Sequence, residues 1–205
     1  MRVAQRGGMS HALATSSHAS SLPPPSLAQS YFARWLAGRE WESHRWELVN
    51  GRMVHRPPAG TRCTAIARRL QRRLAQAAER TGVVVLEPRQ GLELPTGDTL
   101  VPDVAVLSAS RWASATPSAG DLLRVVPELV VEVLRERDTK ARGETREIYE
   151  RAGVEEHWVV DPLLRTVTVL VRHRDRFELG EVLAGSDVLR PALLPELSLA
   201  LAQLF

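Results

Sequence analysis

The chain has 205 residues, of which 44% are hydrophobic, enough for one sizeable domain with a tail and hardly for two. Its net charge of +3 permits a nucleic-acid partner without demanding one. The one cysteine, Cys63, excludes an intramolecular disulfide and any multi-cysteine zinc or iron–sulfur centre and suits a reducing cytoplasm, and no apolar run reaches the length of a membrane span.

Residues 1–28 are rich in Ser, Ala and His and end in LPPPS, a composition expected to stay disordered, and residues 29–205 are expected to form the domain. QSYFARWLAGREW, 29–41, reads as a short helix packing Phe32 and Trp35. RWELVNGRMVHRPP reads as a hairpin turning at Asn50-Gly51 and stopped by Pro57-Pro58. From Thr61 to Arg80 the period is helical, with Ile66, Leu70, Leu74 and Ala78 on one stripe and Arg68, Arg69, Arg72 and Arg73 mostly off it. VVVLEP, GLELP and VPDVAVL (101–107) read as strands, and 108–126 as a loop with a short helix near Asp121. The stretch 127–162 is strand, charged turn, helix and strand, the unit that builds parallel pairing. TVTVLVRH and DRFELGEVL then suggest an antiparallel hairpin, and 193–205 a short apolar helix.

Three carboxylates occupy strand positions where an acid is unexpected: Glu47, Asp103 and Glu132. An ionised carboxylate inside a buried strand is costly unless it is paired or binds a cation. Acids on neighbouring strands can converge on one sheet edge, where a divalent cation with a preference for oxygen ligands, Mg²⁺ or Mn²⁺, relieves their repulsion and can activate water against a phosphodiester. The bland alternative is that they are edge-strand residues, hydrogen-bonded or solvated.

The order ELVNGR, PP, a helix, VPDVAV, PELVVEVL and then EIYERAGVEEHWVVDP resembles the Uma family, from about Trp46 to the C-terminus. That resemblance implies an α/β, restriction-endonuclease-like fold of the PD-(D/E)XK nuclease superfamily: a mixed central sheet flanked by helices, with additional β-hairpins. It implies that Asp103 is the Asp of the PD motif, Glu132 the second acid and Glu47 the acid of the N-terminal hairpin, together holding Mg²⁺ or Mn²⁺ for cleavage of DNA. Nucleases of this kind often pair, so a homodimer is one expected assembly, although the sequence shows no interface.

The chain departs from the family pattern at the position of its active lysine, which here is Thr145, one turn earlier at Ala141, and at Cys63, where the family commonly has a histidine. Lys140, the only lysine in the chain, is the candidate replacement, and Arg146 a second source of charge. Two functions therefore stand side by side: a metal-dependent DNA endonuclease using Asp103, Glu132 and Lys140, or a catalytically silent module of the same fold that binds DNA or a protein. Tyr149, His157 and Gln90 are weaker candidates for the site edge, each with a structural reading beside it. Phosphate-binding P-loops, dinucleotide fingerprints, H-E-x-x-H helices and G-x-S-x-G elbows are absent from the sequence.

Overall fold

The structure, a computed structural model, describes residues 23–38, 46–135 and 139–205, with the side chains of 139–142 excepted. Helix α1 (Leu27–Ala37) starts two residues before the expected boundary of the tail, because Ser26 and Gln29 form a reciprocal capping box. Residues 1–22, most of the expected tail, and the expected end of this helix lie outside the described residues. Gln29 also donates to the carbonyls of Leu94 and Asp98 at 2.8 Å, which fixes α1 to the turn around Gly97.

The hairpin forms as expected from β1 (Trp46–Val49) and β2 (Arg52–His55). Asn50 and Gly51 both adopt positive φ, 48° and 74°, as a two-residue type I′ turn requires. Helix α2 (Thr61–Ala78) buries the predicted stripe of Ile66, Leu70, Leu74 and Ala78 and leaves Arg68, Arg69, Arg72 and Arg73 exposed. Two of those arginines bond the C-terminal segment, Arg69 at the Leu204 carbonyl and Arg73 at Gln203.

Short strands follow: β3 (Val84–Val85), β4 (Gly91–Glu93), β5 (Thr99–Leu100) and β6 (Val104–Leu107). Asp103 stands just ahead of β6 rather than inside a strand. The segment 108–126 is more ordered than a loop. It holds α3 (Ala109–Ser114), then β7 (Thr116–Pro117) and β8 (Leu122–Arg124), and Asp121 sits in their turn at φ 56° instead of in a helix.

The expected strand–helix–strand unit is present as β9 (Leu129–Val133), α4 (Thr139–Ala152) and β10 (Glu156–Asp161), with β9 and β10 parallel. β11 (Thr166–His173) and β12 (Arg176–Ala184) form the expected antiparallel hairpin. The C-terminal segment is not the expected helix: β13 (Val188–Leu189) pairs with β14 (Leu199–Ala200), followed by one 3-10 turn. Pro195 interrupts that run, and Leu194, Leu199, Leu201 and Leu204 are buried from turns, a short strand and the 3-10 turn instead.

Among the described residues the strands form the two-stranded β13-β14 ribbon and two six-stranded mixed sheets. The central one has the order β12-β11-β10-β9-β6-β3, the other β2-β1-β5-β4-β8-β7. β9 reads as an almost continuous apolar run because both its faces are covered. Leu129, Val131 and Val133 pack toward the α2 stripe, and Val130 packs with Ile148 and Tyr149 of α4 and with Leu92 and Leu100 of the second sheet. Each such fully buried aliphatic or aromatic side chain contributes about 1.5–3 kcal/mol relative to exposure. By the alternation of a strand, Glu132 must face the α4 side. Among the described residues no helix is long and apolar enough to cross a membrane.

Candidate functional site

Where the two sheets and α4 meet there is a cleft of about 320 Å³, lined among others by Glu47, Glu132, Thr145, His157 and four arginines. Glu132 projects into it from β9. Its Oε1 accepts from the hydroxyl of Tyr149 at 3.0 Å, and Tyr149 is itself fully buried under α4. Burial pushes the Glu132 carboxyl well above its ordinary range, and the charges of Asp103 and Glu47 push it further. Glu132 thus lies within electrostatic reach of the other two acids singled out from the sequence.

Glu47, 4% exposed on β1, accepts from Arg56 Nε at 2.6 Å and from the Val101 amide at 3.1 Å. Burial raises its carboxyl, and Arg56 opposes the rise. Asp103 turns one oxygen to the Val133 amide at 2.8 Å, across the pairing of β6 with β9, and its other oxygen lies 3.8 Å from Arg135. Its carboxyl is also raised by burial, with the Val133 amide, Arg135 and Arg89 acting against the rise. Asp103 lines a smaller neighbouring recess of about 160 Å³, and Arg89 lines both spaces.

Three oxygen donors under mutual repulsion suit a hard divalent ion in chemical type. Their present partners hold them apart, however: among the described residues no three His, Cys, Asp or Glu side chains are placed to share one ion. A cation shared by Glu47, Asp103 and Glu132 therefore requires Arg56 to release Glu47 and Asp103 to turn from the adjoining recess.

Lys140 lies in the first turn of α4, but its side chain falls outside the described residues. Thr145 is 7% exposed and lines the cleft, so where the resemblance implies a lysine the helix presents a hydroxyl. Arg146 also lines the cleft while its guanidinium donates to the Phe177 carbonyl at 3.2 Å. Neither ring nitrogen of His157 has a hydrogen-bond partner among the described residues, and burial followed by the charge of Arg146 lowers its pKa to about 3. It is a neutral ring packed edge-on to Tyr149, not an acid–base group at neutral pH. Gln90 bonds the Asp121 and Gly91 carbonyls and does not line the cleft. Cys63 donates to the Leu134 carbonyl, and burial and Asp103 raise its thiol, which fits the structural reading.

Arg56 and Arg135 were not singled out from the sequence, and Arg56 had a readable signal. The Asn50-Gly51 turn sets Glu47 opposite Val54, and Arg56, two residues further on, continues the same face as a diagonal neighbour. Arg135 follows the end of β9 and meets Asp103 from the adjoining strand, a contact with no local signal.

Comparison with known proteins agrees with this architecture. The Uma2 family model, "Putative restriction endonuclease", matches residues 30–202. The crystal structure of a "putative nuclease belonging to DUF820" from Anabaena variabilis is similar over 78% of this chain and 89% of that one, with a TM-score of 0.65 at 21% identity, a likeness of fold. No curated protein matches the chain.

Proposed function

Since the chain belongs to the Uma2 family, described as putative restriction endonucleases, we propose that it acts on DNA as a metal-dependent phosphodiesterase of the endonuclease type. The observation that carries this reading is a single cleft in which a strained carboxylate, Glu132, is bordered by four arginines. Acids under mutual repulsion are what a cation relieves, and guanidiniums are what a phosphate backbone seeks. Glu132, Asp103 and Glu47 would hold Mg²⁺ or Mn²⁺, and an ion bound there supplies Lewis-acid polarisation of the phosphodiester and activation of water. The protein's own part is to orient the phosphate with its arginines. Lys140, on the first turn of α4, is proposed as a further source of positive charge. Pairing of two copies would serve cleavage of both strands, and the reduced-cysteine composition suits the cytoplasm.

The test is cleavage of supercoiled plasmid and of single-stranded DNA with Mg²⁺, Mn²⁺ or EDTA, run with wild-type and Asp103→Ala protein. Metal-dependent nicking lost in the variant is the expected result. Cleavage that survives the substitution would sink the site assignment.

A second reading is favoured by one observation, the buried Thr145 hydroxyl at the position where the resemblance implies a lysine. In that reading the cleft binds DNA or a protein without cutting. Folded protein that cleaves nothing in either metal would move the assignment to it.

A further inference from the structure

Without a bound ion the acids of the cleft need positive charge from the protein, and for Glu47 the fold supplies it from an element that is not catalytic in the resemblance. Glu47 is 4% exposed, and an unpaired carboxylate at such a position is strongly unfavourable. Arg56, from the segment joining β2 to α2, meets it at 2.6 Å, and the two side chains are only 14% and 6% exposed. The same guanidinium extends an NH2 group to within 3.5 Å of Thr145 Oγ1 on α4. It therefore spans the cleft from the second sheet to the helix that covers the central sheet. The other three arginines of the cleft are placed differently: Arg146 donates to the Phe177 carbonyl, Arg135 to the Pro57 carbonyl at 2.7 Å with Asp103 further away at 3.8 Å, and Arg89 acts on Asp103 rather than Glu47.

We propose that Arg56 is a resident cation of the cleft, balancing Glu47 beside the hydroxyl that α4 presents at Thr145 and holding the backbone phosphate of bound DNA. A guanidinium suits both tasks, since its planar fork of N–H donors matches carboxylate and phosphate geometry and it stays charged at any working pH. The phosphate role rests on the DNA reading above, whereas the charge-balancing role does not. Arg56 is a charge-balancing and phosphate-binding residue in this account, and its position predicts a specific rescue. Because Thr145 is within reach of the guanidinium, a lysine at 145 would set an ammonium on the same spot.

The experiment compares wild type, Arg56→Met, Arg56→Lys and the double variant Arg56→Met with Thr145→Lys. Binding of a labelled DNA oligonucleotide is followed by anisotropy in EDTA over a salt series, and Mn²⁺ binding by electron paramagnetic resonance. Arg56→Met should weaken DNA binding roughly tenfold and make the salt slope shallower by about one. It should also tighten Mn²⁺ binding, because Glu47 is released. Thr145→Lys in the same chain should reverse both changes, and Arg56→Lys should fall between. Wild-type affinity and salt slope in a folded Arg56→Met protein would overturn the phosphate role, as would a double variant that restores neither. If wild type does not bind DNA at all, the DNA reading has failed and the Mn²⁺ arm decides: affinity unchanged or absent across the series overturns the charge-balancing role. If Arg56→Met does not fold, recovery of folded, DNA-binding protein in the double variant supports the proposal, and its failure to fold overturns it.

Discussion

Glu132 on β9 and Glu156 on β10 are carboxylates on adjacent parallel strands, and both are raised by burial, yet their surroundings differ in kind. Glu156 accepts from the Trp158 indole at 2.6 Å and from the Ala192 amide at 3.1 Å, so neutral donors satisfy it and pin the C-terminal segment to the sheet. Glu132 has the Tyr149 hydroxyl on one oxygen and two other carboxylates as electrostatic neighbours. Burial of an acid is thus no mark of function by itself. The difference is that Glu132 is raised by two like charges and meets one neutral donor, whereas Glu156 has two donors and one weaker like charge, Glu181; groups of the first kind cluster at functional sites.

The largest effect should come from breaking the satisfied member. Glu156→Ala leaves the Trp158 and Ala192 N–H groups without acceptors and should destabilise the fold by about 2–3 kcal/mol in urea unfolding. A loss no greater than that of Glu132→Ala would erase the distinction. Next comes the single donor of the strained acid: Tyr149→Phe should cost about 1 kcal/mol while leaving the ring packing against His157 in place. Glu132→Gln keeps an acceptor for Tyr149 and removes a charge that its neighbours repel, so at neutral pH it should lie within about 1 kcal/mol of wild type or above it.

The sharper reading of Glu132→Gln is in pH dependence. Because the folded carboxyl is raised above its ordinary value of 4.5, the folded chain retains a proton that the unfolded chain has lost above that pH. Its stabilising contribution is present in acid and disappears as pH rises, so Glu132→Gln should flatten that decline in a urea-midpoint series. The smallest effect at neutral pH belongs to His157. Its pKa falls from 6.5 to about 3 in the fold, so below 6.5 the unfolded chain takes up a proton that the folded one refuses, and stability drops as pH falls toward 3. His157→Leu should flatten this acid arm and leave the opposite arm alone. If the two substitutions alter the same arm, the assignment of opposite signs fails.

Much of this protein follows from short-range pattern. The Asn50-Gly51 turn, the α2 stripe and the β9–α4–β10 unit each have their signal within a few residues: two left-handed turn positions, a 3.6-residue period, and an apolar run bounded by a helix and a proline. The unexpected acids at 47, 103 and 132 also stand out locally, as charges in or at the start of apolar runs.

What the sequence could not settle depends on partners far apart in the chain. The second six-stranded sheet joins β4 to β8 in parallel and β1 to β5, pairings between two- to four-residue strands whose individual propensities are too weak to read. The C-terminal leucines could be a helix or an extended ribbon until β13 offered a ladder to β14. The composition of the cleft was likewise undecided. Arg56 reaches Glu47 through hairpin register and Thr145 through the docking of α4, and Arg135 reaches Asp103 through the pairing of β6 with β9. The sequence by itself determined the hairpin, the α2 helix and the β9–α4–β10 unit and marked the unexpected acids, because hydrophobic period and turn stereochemistry act over a few residues. Only the tertiary structure decided which charges meet, because electrostatic and hydrogen-bond energies depend on distances that exist only once separate elements are packed.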